Sequence, residues 1–311
     1  MSRAQLTSTV EQSSGGAVSP FLAGKNKIIN GDFGIWQRGT SFGGASQYTA
    51  DRWNTYSDSA ATISQQTFTP GTAPVAGYES AYFLRSARTS GGSYANIVQK
   101  IEDVRTFAGQ TFTFSFWAKA SASQTITIRP QQVFGTGGSS NVVFTSQTAN
   151  VTTSWARYSA TFAAPSIAGQ TIGTGSHLFA ELYWLTTAAV TMDIWGVQLE
   201  VGSVATPFTT ASNTVQGELA LCQRYYISNG QVITWQGNVT SGQLYIQTVT
   251  FPVQMRVAPT ITQTSYSASN FNAGTLSAGT ITVGGFLTNE TASGTASGAY
   301  YQATYTASAE L

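Results

Sequence analysis

The sequence predicts an all-β protein. It has an extended N-terminal arm, a β-sandwich of jelly-roll type, a short linking helix and a small C-terminal β domain that associates with copies of itself. Three observations predict this. Apolar and polar residues alternate with period two in run after run, the spacing of a strand with one face buried. Gly/Ser/Thr/Pro turns such as Thr69–Thr72, Gly135–Ser140, Pro165–Gly169 and Gly173–Ser176 separate the runs, as in a sandwich of many short strands. Charged residues make up only 9% and aromatic residues 12%, so helix-forming Lys and Glu are scarce while strand-forming Thr, Tyr, Phe and Trp abound.

Residues 1–24, MSRAQLTSTVEQSSGGAVSPFLAG, are polar and rich in Ser and Gly, with no sustained periodicity. They read as an extended arm, either a disordered tail or a tether that orders on docking to a larger particle. They lack a basic start followed by an apolar core, so no secretory signal is expected.

Residues 25–208 carry the strongest strand signal. In TFTFSFWAK, Phe112, Phe114 and Phe116 share one face and Thr111, Thr113 and Ser115 the other. Ile126 and Ile128 repeat the pattern, and so do Ala156, Tyr158, Ala160 and Phe162. In VTMDIWGVQLE, simple alternation puts Trp195, Val197 and Leu199 on one face, with Met192 and Ile194 on the other.

Residues 209–226 break the pattern. Val215, Leu219, Cys222 and Tyr226 fall near helical spacing, with Ser212, Asn213 or Thr214 available as a cap. This predicts a helix over about Val215–Tyr225, weakened by Gly217.

Residues 227–311 return to β, in QLYIQTVTFPVQMR, APTITQT, GTITVGGF and AYYQATYTA. Such a small unit, rich in Gly, Ala, Ser and Thr, is expected to need apolar surface from partner chains. Leu244, Ile246, Ile261, Ile281 and Val283 are the candidates for an intersubunit core.

KNKIINGDFGIWQRGTS (Lys25–Ser41), YTADRW (Tyr48–Trp53), QLEVGSVATPF (Gln198–Phe208) running into ELALCQRYY (Glu218–Tyr226), FPVQMRVAPTIT (Phe251–Thr262) and YTASAEL (Tyr305–Leu311) resemble blocks of phage tail fibres and related virion fibre proteins. Those proteins have a carbohydrate-binding-module-like domain, and the blocks here stand in the expected order. The resemblance implies a jelly roll, homotrimeric assembly and host attachment. It implies a virion location, with residues 1–24 gripping another virion protein. It also implies a structural calcium joining the first and last strands, for which Asp32, Asp193 and Glu200 are the candidate ligands. Gly34 stands where the family usually has an acid.

A net charge of +1 offers no field for nucleic acid, and no apolar run reaches the roughly 18 residues of a membrane-spanning helix. The single Cys222 and single His177 supply neither a disulfide framework nor a metal-ligand pair. Cys222 reads as a small buried hydrophobe, and His177 as a structural or surface residue. Glu102 and Asp103 are adjacent, so on a strand they diverge. Glu79, Glu181, Asp193 and Glu200 enter as possible paired carboxylates only because acids are few. The chain is therefore read as a non-enzyme without a cofactor other than calcium.

Sugar recognition needs aromatic faces for pyranose rings and neutral hydrogen-bonding groups. Trp53, Tyr56, Tyr82, Tyr94 and Trp184 are the candidates, while Trp36, Trp117 and Trp195 read as core. The favoured function is a tail-fibre subunit that attaches to a host surface glycan. A capsid head fibre or decoration protein is the alternative, and a glycan-degrading enzyme ranks behind both.

Overall fold

The protein is described from a computed structural model covering residues 24–185, 188–228, 233–272 and 276–311. The arm expected over 1–24 lies outside the described residues except for Gly24, whose N–H donates to Ala211 O at 2.6 Å.

Fourteen strands precede the helix among the described residues. They are β1 (Ser41–Gly43), β2 (Gln47–Tyr48), β3 (Asn54–Ser57), β4 (Ala61–Thr67), β5 (Tyr82–Arg88), β6 (Ala95–Glu102), β7 (Thr111–Ala120), β8 (Gln124–Ile128), β9 (Gln131–Val133), β10 (Val142–Val143), β11 (Gln147–Val151), β12 (Ala156–Ala163), β13 (His177–Trp184) and β14 (Thr191–Val201). They form two antiparallel sheets. One runs β1-β4-β5-β14-β7-β12; the other runs β10-β9-β13-β6-β3-β2, with β8 on β13 and β11 on β8. The inner faces meet over Ile97, Phe112, Phe114, Phe116, Ile126, Leu182, Trp184 and Ile194, all without exposure. The phenylalanine face of β7 is thus the core face, as its alternation predicts.

Strand β14 departs from simple alternation. Its register on β7 shifts between Trp195 and Gln198, and Gly196 adopts φ +63°. This bulge resets the side-chain period. Met192, Ile194, Val197 and Leu199 therefore all enter the main core. Trp195 turns outward and packs with Phe68, Phe83 and Phe208 in a separate cluster. The grouping of Trp195 with Val197 and Leu199 is corrected accordingly. Only glycine is comfortable at position 196, because a Cβ there would sit 2.8 Å from Trp117 Cδ1 and the backbone is left-handed.

The linking helix α1 spans Val215–Gln223, and Thr214 caps it by accepting from Gly217 N at 3.0 Å. Its buried face differs from expectation. Val215 is 76% exposed and Leu219 37%, whereas Glu218 and Cys222 are buried. Glu218 is held inside because its two oxygens accept from Asn30 N (2.8 Å) and Ser212 N (2.6 Å), satisfying backbone donors of two loops.

Beyond the helix lie β15 (Tyr226–Ser228), β16 (Ile233–Val239), β17 (Leu244–Thr250), β18 (Thr260–Ser269), β19 (Ala278–Thr282), β20 (Gly285–Thr291) and β21 (Ala296–Ser308). Strand β21 pairs with β15, β16 and β18, and β20 lies between β17 and β19. Phe251, Met255, Phe271, Phe286, Tyr301 and Tyr305 close a core within the one chain. The expectation that partner chains must supply this core is corrected: two tyrosines and three large apolar rings fill the space the small residues leave. Ile261 and Ile281 pack against that core, while Leu244, Ile246 and Val283 remain 53%, 55% and 38% exposed.

The two cores meet at a charged seam. Glu310 pairs with Arg38 at 3.0 Å and closely with Arg52, whose side chain is 1% exposed. Lys100 Nζ donates to Leu311 O at 2.6 Å, and Arg224 pairs with Glu102 at 2.9 Å.

Candidate functional site

Alternation on β6 and β13 sends Ile97, Leu182 and Trp184 inward. Asn96 and Tyr183 must then lie on the outer face of the eight-stranded sheet. The registers Tyr56↔Asn96, Asn96↔Tyr183 and Tyr183↔Thr127 place four side chains in one row across β3, β6, β13 and β8. Glu181, two residues along β13 from Tyr183, shares the face. Arg129 follows β8, and its N–H donates to Glu181 O at 3.0 Å.

Three tyrosine rings line this face. Tyr94 stands between Tyr56 (centroids 6.1 Å) and Tyr183 (5.4 Å, interplanar angle 31°). The Arg129 guanidinium lies 4.7 Å from the Tyr183 ring centroid. Beneath them Glu181, 1% exposed, gathers the polar groups. It accepts from Asn96 Nδ2 at 2.8 Å, from Arg129 Nε at 2.7 Å and, in a close hydrogen bond, from Tyr94 OH. Burial pushes the Tyr94 phenol up, and the bond to Glu181 and its charge push it further, so the phenol stays protonated and donating. Burial works against the Arg129 charge, but the bond to Glu181 together with the charges of Glu181, Tyr94 and Tyr183 outweighs it and holds the guanidinium ionised. The result is a rigid, half-exposed aromatic row with net neutral polar flanks. Such a row can stack on the apolar faces of sugar rings while Asn96, Thr127 and Arg129 offer hydrogen bonds.

The five aromatic candidates divide. Tyr56 and Tyr94 lie on this face. Trp53 and Trp184 are fully buried in the core and cannot stack on a ligand, which corrects their candidacy. Tyr82 begins β5 in the opposite sheet. Tyr183, Asn96 and Arg129 were missed. The signal lay in HLFAELYW, where Phe179, Glu181 and Tyr183 alternate with the core residues Leu178, Ala180, Leu182 and Trp184.

The calcium candidates are not brought together. Asp193 is held by Arg85 through two bonds (2.7 and 2.8 Å). Glu200 accepts from Thr206 N at 2.9 Å and lies 3.3 Å from Lys25 Nζ. Asp32 accepts from Gly34 N at 3.3 Å in a separate cavity. Among the described residues no group of three or more His, Cys, Asp or Glu could hold a metal ion. This corrects the expectation, because two of its three acids are already neutralised by cations of their own. His177 is buried against Gly175 O (2.8 Å) and Cys222 is fully buried. Among the described residues no helix is long and apolar enough to cross a membrane.

Residues 25–173 match the family described as carbohydrate binding domain. No curated protein matches the sequence. Three of the solved structures similar to this chain illustrate the match. One is the N-terminal cellulose-binding domain of Cellulomonas fimi β-1,4-glucanase C, at 16% identity and TM-score 0.34, over 49% of this chain and 90% of that one. Another is TmCBM61 in complex with β-1,4-galactotriose, at 12% identity and TM-score 0.35, over 57% of this chain and 99% of that one. The third is tailspike protein 4 of bacteriophage CBA120, at 18% identity and TM-score 0.36, over 57% of this chain but only 22% of that one.

Proposed function

We propose that the outer face of the eight-stranded sheet binds a glycan through Tyr56, Tyr94 and Tyr183, and that the chain does so as a virion fibre subunit attaching to a host surface. The observation that carries the binding reading is the tyrosine row locked from below by the buried Glu181 carboxylate. A surface with no ligand gains nothing from ordering three aromatic side chains and an arginine in this way. The carbohydrate-binding family match over 25–173 supports it, and β13 completes the face from outside that span. Carbohydrate binding as such involves no bond-breaking step, so the role assigned is recognition and not catalysis.

The fibre reading rests on the sequence blocks and on the low charge of a large all-β chain. Within it, Leu244, Ile246 and Val283 are the exposed apolar residues that partner copies would cover in a trimer, and residues 1–24 are the segment that would grip the particle.

Binding to a broad glycan array and to whole host cells tests recognition. Wild type is expected to bind, and Tyr94→Ala and Tyr183→Ala each to weaken binding at least about tenfold, roughly 1.4 kcal/mol, with unchanged melting. No binding above control on either surface ends the glycan reading. Electron microscopy of intact particles and light scattering of the pure chain address the rest: a monomer absent from particles ends the fibre reading.

A further inference from the structure

A second site of different chemistry lies at the edge of the sandwich. The loop after Asn30, the turn before β5 and the start of α1 enclose a cavity of about 490 Å³, within the usual range for small-ligand pockets. Tyr78 and Tyr82 line it together with Ile35, Ser80 and Val215, and three carboxylates, Asp32, Glu79 and Glu218, border it. Among the described residues no lining side chain is basic.

The charge pattern of the whole chain makes this unusual. Asp51, Asp58, Asp103, Asp193, Glu102, Glu181, Glu200 and Glu310 all sit within 4 Å of an arginine or lysine nitrogen. Of the described acids, only Glu290 and the three in this cavity have no such partner. Glu218 is spoken for by backbone donors, and Glu79 accepts from Gly71 N at 3.0 Å. Asp32 has a single long bond, from Gly34 N at 3.3 Å. Asp32, with one long hydrogen bond and no cation beside it in an aromatic-walled cavity that two further carboxylates border, leaves a cationic ligand as its missing partner. The tyrosine rings favour an organic cation over a bare ion.

We propose that this cavity binds a small ligand bearing a protonated amine, either an amino sugar with a free amino group or an aliphatic polyamine. Its ammonium group is held by Asp32, with Glu79 at the rim, and its body rests against Tyr78 and Tyr82. The site is independent of the tyrosine row on the eight-stranded sheet.

Calorimetric titration of the full chain with glucosamine, spermidine, glucose and N-acetylglucosamine tests it. At least one amine is expected to bind while glucose and N-acetylglucosamine do not. Glucosamine alone identifies an amino sugar, and spermidine alone a polyamine. Asp32→Asn is expected to weaken amine binding at least tenfold. Val215→Arg is a second variant at a position 76% exposed; it sets a cation at the mouth, leaves the fold intact by melting, and is expected to weaken binding as much. Tyr183→Ala is expected to leave amine binding unchanged, which separates this site from the glycan face. Failure of both amines to bind, equal binding of glucose, or full binding by Val215→Arg overturns the proposal.

Discussion

Single carboxylates organise this protein, and their surroundings set opposite behaviours. Asp58 accepts from Ser93 Oγ, Tyr94 N and Ser93 N and pairs with Arg88; these bonds, the hydroxyl's first, hold its carboxyl down at about 2. It thereby fixes the backbone at Tyr94, the central ring of the tyrosine row. Asp51 is fully buried, and burial pushes its carboxyl up to about 6 despite the bonds from Gln37 and the charge of Arg38. The folded protein therefore prefers Asp51 protonated, relative to an ordinary value of 3.8. That contribution to stability is full below pH 3.8 and is lost as the pH rises through 6. Asp51→Asn stays neutral throughout. Its stability relative to wild type should rise between pH 4 and pH 7 by on the order of 3 kcal/mol. Urea denaturation at a series of pH values reads this directly, and a flat difference across that window refutes it.

At the scale of elements, the outward rows of β6 and β13 were readable in sequence because alternation assigns each residue to a face. The mates of each row were not, because strand order and register are set by long-range pairing. Helix α1 makes the same point. Its position and its Thr214 cap follow from local chemistry, yet Glu218 is inside and Val215 outside, because the distant loop at Asn30, with Ser212 just ahead of the helix, presents N–H groups to the carboxylate. Thr214→Ala removes the bond to Gly217 N and should cost about 1 kcal/mol. A chemical denaturation midpoint unmoved by this change would mean that the cap is supplied by another group.

For the whole molecule, the decisive contact is the seam between the two cores. Glu310, 7% exposed, faces Arg52 and Arg38 at once, and Arg52 lies 3.4 Å from the Tyr225 ring centroid. Removing the carboxylate by Glu310→Ala strands a buried guanidinium, a change that usually costs about 3–5 kcal/mol. Two separate unfolding transitions in calorimetry are expected in place of one, since each core is closed within itself. A single transition at the wild-type temperature would show that Glu310 is not what couples the units. The seam also abuts the outer face of the eight-stranded sheet at Lys100 and Glu102, so the C-terminal unit borders the face that carries the tyrosine row.

By itself the sequence determined the all-β class, the core face of β7 and the place of the short helix. These follow from local periodicity, which acts over a few residues and survives any arrangement of the strands. Only the tertiary structure decided which tryptophans are buried, where the bulge at Gly196 exchanges Trp195 for Val197, that residues 227–311 close their own core, and that the calcium candidates stay apart. Each of these depends on which distant segments share a surface. Pairings such as Asn30 with Glu218 and Arg52 with Glu310 leave no periodic trace along the chain.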